Sequence, residues 1–205
     1  STDGYNLTVT NTATYKFDAG DDHSFTFMVG QEGVDYHYEA FSLLSRGQNN
    51  DRLTNISTGT RVTSWDDTTD SDYGFVSFFG RINYDYDNRY FVEATARADG
   101  SSRFGSSRRW AGFWSLGFMW NMRNEKFMDS ASRWLTNAQI ALSTGTSGNS
   151  SIPNYEHLAL VGGGLDYAGN AGIGLLQPGN ENLGWEKPWT SNLAFPLGFW
   201  NRLNV

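Results

Sequence analysis

The chain has 205 residues, with 15 Lys and Arg against 22 Asp and Glu, a net charge of −7. That balance excludes a nucleic-acid binder, which needs a basic face. The lack of cysteine excludes disulfide frameworks and thiolate metal centres. No apolar run reaches the roughly 18 residues of a spanning helix. Aromatics at 16% with 23 Gly and only 4 Pro suit strands and turns.

Apolar residues recur with a period of two, the signature of a strand with one dry and one wet face. In 7–17, Leu7, Val9, Ala13, Tyr15 and Phe17 alternate with Thr8, Thr10, Thr12, Thr14 and Lys16. A turn at 18–23 leads to Phe25, Phe27 and Val29 on a strand at 24–38. On 72–86, Val76, Phe78, Ile82, Tyr84 and Tyr86 share a face with Gly80, opposite Ser77, Arg81, Asn83 and Asp85. Asp87-Asn88 reads as a two-residue hairpin turn. On 89–101, Tyr90, Val92, Ala94, Ala96 and Ala98 oppose Arg89, Glu93, Thr95, Arg97 and Asp99. Trp110, Trp114, Leu116, Phe118, Trp120 and Met122 form the apolar face of 109–123. Trp134, Ala138, Ile140 and Leu142 do so on 133–146, and Leu193, Phe195, Leu197 and Phe199 on 184–199. A turn at Trp200-Asn201 precedes an eighth strand near Arg202.

Short links at 18–23, 87–88, 124–132 and 200–201 alternate with longer ones at 39–71, 102–108 and 147–183. Outer-membrane barrels have this asymmetry, with tight periplasmic turns and long external loops. Aromatics gather at the short links: Tyr84, Tyr86 and Tyr90 at one, Trp120 and Trp134 at another, Phe199 and Trp200 at a third. Rings with a polar edge sit well at a lipid–water boundary. The expected fold is all-β, an antiparallel transmembrane β-barrel segment in the bacterial outer membrane, crossing it several times. The alternative is a secreted, carbohydrate-binding β-sandwich, which would seal the rows led by Val92, Leu116 and Ile140 between two layers.

The run from Phe79 to Gly105 (FGRINYDYDNRYFVEATARADGSSRFG) resembles a barrel hairpin of the SusC/RagA-type TonB-dependent transporters. Arg109-Trp110 to Trp120 with Phe127-Met128, then Ser143 to Asn149 (STGTSGN), then Asn180 to Lys187 (NENLGWEK) follow in that family's order. The resemblance implies a barrel of about 22 strands, of which residues 1–205 would be about a third. It implies a plug domain and TonB box outside this chain, a SusD-like surface lipoprotein as lid, and TonB as the energy source. It also implies oligosaccharide or peptide cargo and contact with outer-membrane lipid. Pro188 and Pro196 depart from the family's continuous strand and predict a bulge or irregular pairing.

No catalytic arrangement is present: His23, His37 and His157 are isolated, and no G-x-S-x-G elbow occurs. An enzyme is therefore not expected, nor a cofactor. Asp66, Asp67, Asp70 and Asp72 could gather round Ca²⁺, but they lack the spacing of a calcium loop and read first as a solvated acidic loop. Trp65, Tyr155 and Tyr167 lie in the long loops and are the candidates for stacking on cargo. Arg81, Arg97, Glu93 and Asp85 share the wet face and are expected to pair across strands.

Overall fold

The computed structural model describes every residue except 49, 51, 53, 54, 63–66, 168 and 169, and describes the backbone alone at 67, 164–167, 170 and 171. Each alternating stretch becomes a strand hydrogen-bonded to the next. The strands are β1 (Thr2–Ala19), β2 (His23–Ser42), β3 (Ser45–Arg46), β4 (Thr60–Arg61), β5 (Asp67–Tyr86), β6 (Tyr90–Ser101) and β7 (Trp110–Asn121). They continue as β8 (Leu135–Thr146), β9 (Leu160–Tyr167), β10 (Asn170–Gln177), β11 (Trp189–Ala194), β12 (Leu197–Phe199) and β13 (Leu203–Asn204). Nine form one antiparallel sheet in the order β1-β2-β5-β6-β7-β8-β12-β13, with β11 also on β8. The short pairs β3–β4 and β9–β10 stand apart from it.

Register carries the apolar alternation across the whole sheet. Phe17 pairs with Phe25, Phe25 with Tyr84, Tyr84 with Val92, Val92 with Phe118, Phe118 with Leu142, and Leu142 with Leu193. All seven sit on one face. One residue along, Lys16, Thr26, Asn83, Glu93, Gly117, Ser143 and Asn192 align on the other. A slip of one residue in any strand would invert its faces, so the pattern itself pins the register.

The apolar face is uncovered. Leu116 is 49% exposed, Leu142 50% and Leu193 59%. Buried apolar side chains are few, Phe104, Ala111, Phe113, Leu135 and Ala138 among them. A second layer would have sealed this face, so the sandwich alternative is overturned. Fully burying one Leu or Phe is worth about 1.5–3 kcal/mol, so a row of them facing water would be untenable. A face of this kind is suited to a hydrocarbon surrounding. The ten residue steps from Trp110 to Trp120, at about 3.4 Å each and inclined about 45°, cover roughly 25 Å, the height of a barrel's apolar band.

Rings mark both edges of that band. At the short-turn end, Tyr86, Tyr90, Trp120 and Phe127 follow one another at centroid distances of 6.2, 6.2 and 6.5 Å, and Trp134 stacks on Phe199. At the long-loop end, Phe78 stacks on Trp110, and Trp114 meets Trp189 edge-on. The tight reversals have the left-handed backbone expected of them. Asp87 and Asn88 have φ of 50° and 53°, as do Trp200 and Asn201. Both turns close by an amide donating three residues back, Arg89 to Tyr86 and Arg202 to Phe199, the geometry that matches strand twist.

Three expectations are corrected. The strand expected over 184–199 is two pieces, β11 and β12, because Pro196 has no N–H to offer the ladder. Its carbonyl still accepts from the Gln139 amide, and the pairs Ala194–Ala141 and Leu197–Ala138 keep one register across the break. The irregularity lies further on, between Gly198 and Phe199. Pro188 stands just before β11 and accepts from Ser147. The loop expected over 39–71 is shorter at both ends, since β2 runs to Ser42 and β5 starts at Asp67. Residues 160–177, expected within a long loop, hold the hairpin β9–β10, whose glycines and two register shifts hide any alternation.

Candidate functional site

The polar face is where this sheet can do chemistry, and its centre is built on β5 and β6. Arg97 and Asp99 are two apart on β6, so they share that face. The Arg97 Nε donates to Asp99 Oδ1 at 2.6 Å, and Ser77 on β5 donates its hydroxyl to the same oxygen at 2.7 Å. Glu32 on β2 lies 3.8 Å from the other side of the guanidinium. The guanidinium also sits over the rings of Phe75 and Phe79, 5.8 and 5.6 Å from their centroids. Arg97 is thus held by two carboxylates and two rings.

Beside this group is a hollow of about 460 Å³. Its floor is strand: Thr95 and Ser115, hydroxyl to hydroxyl at 2.6 Å, with Phe75 and Phe113. Its roof comes from the loops, with Ser147, Gly148, Ser150 and Trp185. Trp185 is central to that roof. Its ring packs 4.8 Å from Phe104, 5.5 Å from Phe113 and 6.3 Å from Phe75. Its indole N–H donates to the Arg109 carbonyl at 2.9 Å. Gly148 lies so close against Phe113 that a Cβ would collide with the ring. A larger hollow of about 580 Å³ lies nearer the short turns, but every residue lining it comes from the sheet, and no loop reaches over it.

Arg103 fastens the loops to the wall. Its guanidinium lies 3.9 Å over the Tyr73 ring, and its Nε donates to Asn154 Oδ1 at 2.6 Å. It donates as well to the Ser150 carbonyl at 3.2 Å. Asn154 in turn donates to Ser71. The candidate cargo residues fall differently. Tyr155 is committed to this fastening, its hydroxyl accepting from the Asp72 amide at 2.7 Å. Tyr167 is on β9, where only the backbone is described, and Trp65 lies outside the described residues.

Of the four charges expected to pair on the wet face, Arg81 and Glu93 do so at 3.8 Å, and Arg97 pairs as above. Asp85 does not: it caps the hairpin turn by accepting from the Asn88 amide. Within the expected acidic cluster, Asp70 and Asp72 lie with His37, ligand atoms within 4.8 Å of one another. The His37 Nδ1 is 2.6 Å from Asp72. Asp66 lies outside the described residues, and Asp67 is described by its backbone alone. This trio follows the apolar face's parity but projects past Val76 and Val29, beyond the apolar band.

A polar anchor at the opposite end was not foreseen. Glu125, in the link between β7 and β8, accepts from the Tyr90 hydroxyl at 2.7 Å and the Trp120 indole at 3.1 Å. The Arg89 guanidinium completes it at 3.4 Å. These donors, the Tyr90 hydroxyl foremost, hold the Glu125 carboxyl below the usual glutamate value. The signals for these sites were in the sequence, as Arg97-Ala-Asp99 on one strand face and as Trp185 within NENLGWEK. Their meeting across loops was not.

No family model matches the chain. It is 32% identical over 167 residues to TonB-dependent receptor P39 of Formosa agariphila, covering 80% of this chain and 16% of that protein. It is 40% identical over 77 residues to TonB-dependent receptor SusC of Bacteroides thetaiotaomicron, covering 38% of this chain and 8% of that protein. Among solved structures, it superposes on the RagAB peptide transporter with a TM-score of 0.90 at 35% identity, over 99% of this chain and 23% of that one.

Proposed function

Because this chain is a stretch of barrel wall of the SusC/RagA-type TonB-dependent transporters, we propose that the protein it belongs to is an outer-membrane importer. It is driven by TonB and draws oligosaccharides or peptides through its lumen. The observation that carries this reading is the apolar row from Phe17 to Leu193, in register over seven strands with no second layer packed over it. A surface of this kind is stable against lipid, and a sheet in lipid must close on itself.

The polar face then lines the lumen, and a plug outside this chain lies against it. The long loops stand on the outer side. There the hairpin β9–β10 exposes Val161, Ile173 and Leu175 at 65%, 77% and 65%. An apolar hairpin beside a mouth is suited to a lid, and a SusD-like lipoprotein is the partner we assign to it. No residue of the chain is given a catalytic role.

The test uses the intact protein in its native outer membrane. Uptake of labelled cargo should stop in a tonB-deficient strain, and the protein should fractionate with outer membranes and co-purify with a surface lipoprotein. Uptake that is indifferent to TonB would overturn the reading.

A further inference from the structure

We propose that His37, Asp70 and Asp72 form a binding site for a divalent cation of the Zn²⁺ type, a role that goes beyond import and involves no cargo. Strand geometry builds the site. His37 on β2 stands directly opposite Asp72 on β5, and Asp70 is two residues along β5 on the same face. One ligand atom from each lies within 4.8 Å of the other two. Four-coordinate Zn²⁺ holds nitrogen and oxygen ligands at about 2.0–2.2 Å, which places them about 3.3 Å from one another. The His37–Asp72 pair, at 2.6 Å, opens slightly to admit the ion. Asp70, exposed and without a side-chain bond among the described residues, turns in toward it. Water completes the shell.

Two further observations point to a cation rather than to a solvated patch. Asp3, Glu39 and Asp70 stand directly opposite one another across β1, β2 and β5, next to the row of Tyr5, His37 and Asp72. Like charges opposed in this way destabilise a sheet. Among the described residues, no Lys or Arg pairs with any of the three. A divalent ion at Asp70 relieves that repulsion. The ligands are also held in place beforehand. The His37 ring packs 5.6 Å from the Tyr5 ring. The last pair of β5 with β6 is Phe75 with Ser101, so the Asp72 amide has no strand beside it, and the Tyr155 hydroxyl accepts it instead at 2.7 Å. Ligands fixed this way lose little freedom when the ion enters. The imidazole selects the ion: Ca²⁺ and Mg²⁺ take oxygen ligands, whereas a nitrogen ligand suits Zn²⁺. Once bound, the ion cross-links β2 to β5 where they run on without β6 beside them.

The experiment titrates Zn²⁺ into the intact, tag-free protein in detergent after stripping with a chelator, in competition with a chromophoric zinc indicator. The parent should hold one equivalent that about a hundredfold excess of Ca²⁺ does not displace. His37→Gln and Asp70→Asn should each weaken that equivalent by about tenfold or more. Heat-modifiable gel mobility checks that each variant keeps its barrel. If His37→Gln loses it, Asp70→Asn alone decides, because that carboxylate holds no other group among the described residues. Absence of zinc binding, displacement by Ca²⁺, or an Asp70→Asn protein that binds zinc as the parent does overturns the proposal.

Discussion

Ser77 and Asp99 face each other across β5 and β6, hydroxyl to carboxylate at 2.7 Å, with 0% and 6% of their surfaces exposed. This buried bond orients the carboxylate that grips Arg97. Removing the hydroxyl in Ser77→Ala should cost about 1 kcal/mol, the net worth of one hydrogen bond. Asp99→Ala also leaves Arg97 short of its closest partner and should cost about 1–3 kcal/mol. Urea unfolding of the intact barrel measures both, and an Asp99→Ala protein as stable as the parent would refute this assignment.

Leu116 and Ser143 lie on β7 and β8 but on opposite faces, Leu116 on the apolar side and Ser143 on the polar side. Leu116→Arg, near mid-band, should destabilise the membrane-inserted barrel by about 2–4 kcal/mol. Ser143→Arg should cost far less, because that face is polar in any case. Refolding yields into lipid vesicles compare the pair. Equal losses at the two positions would contradict the face assignment.

Glu125 gives a pH signature. Its carboxyl is held below the ordinary glutamate value by the bonds from Tyr90 and Trp120, with Arg89 adding to them. A depressed folded pKa means that the stabilisation is complete above the unfolded value and is lost as pH falls through the folded one. The melting temperature should therefore fall on acidification below the ordinary carboxylate range. In Glu125→Gln that component should vanish, leaving a shallower acid limb in a differential-scanning titration.

Arg103 ties two loops to the wall through Tyr73, Asn154 and Ser150. Arg103→Lys keeps the charge but cannot reproduce the planar fork. It should release the 147–158 segment while leaving the barrel intact. Limited proteolysis should cut that segment several-fold faster in the variant, at an unchanged melting temperature. Proteolysis at the parent's rate would show that the loop is held by something else.

What could be read from the residues and what could not divides along a physical line. Strand identity and face followed from local alternation, as on the strands of Val92, Phe118 and Leu142, because a period of two projects directly onto two faces; which residues stand opposite one another came from the structure. The hairpin at Asp87-Asn88 was legible because few residue types accept φ above zero. The hairpin β9–β10 was not, since glycines and register shifts blur its period.

The sequence by itself determined that one side of this sheet is apolar and the other polar, since strand periodicity needs no distant partner to express it. The tertiary structure alone decided that Trp185 would roof Phe113 and Thr95, and that Arg103 would reach Asn154. Those contacts join residues 51 to 90 positions apart, and loops carry no repeating pattern from which such closure can be read.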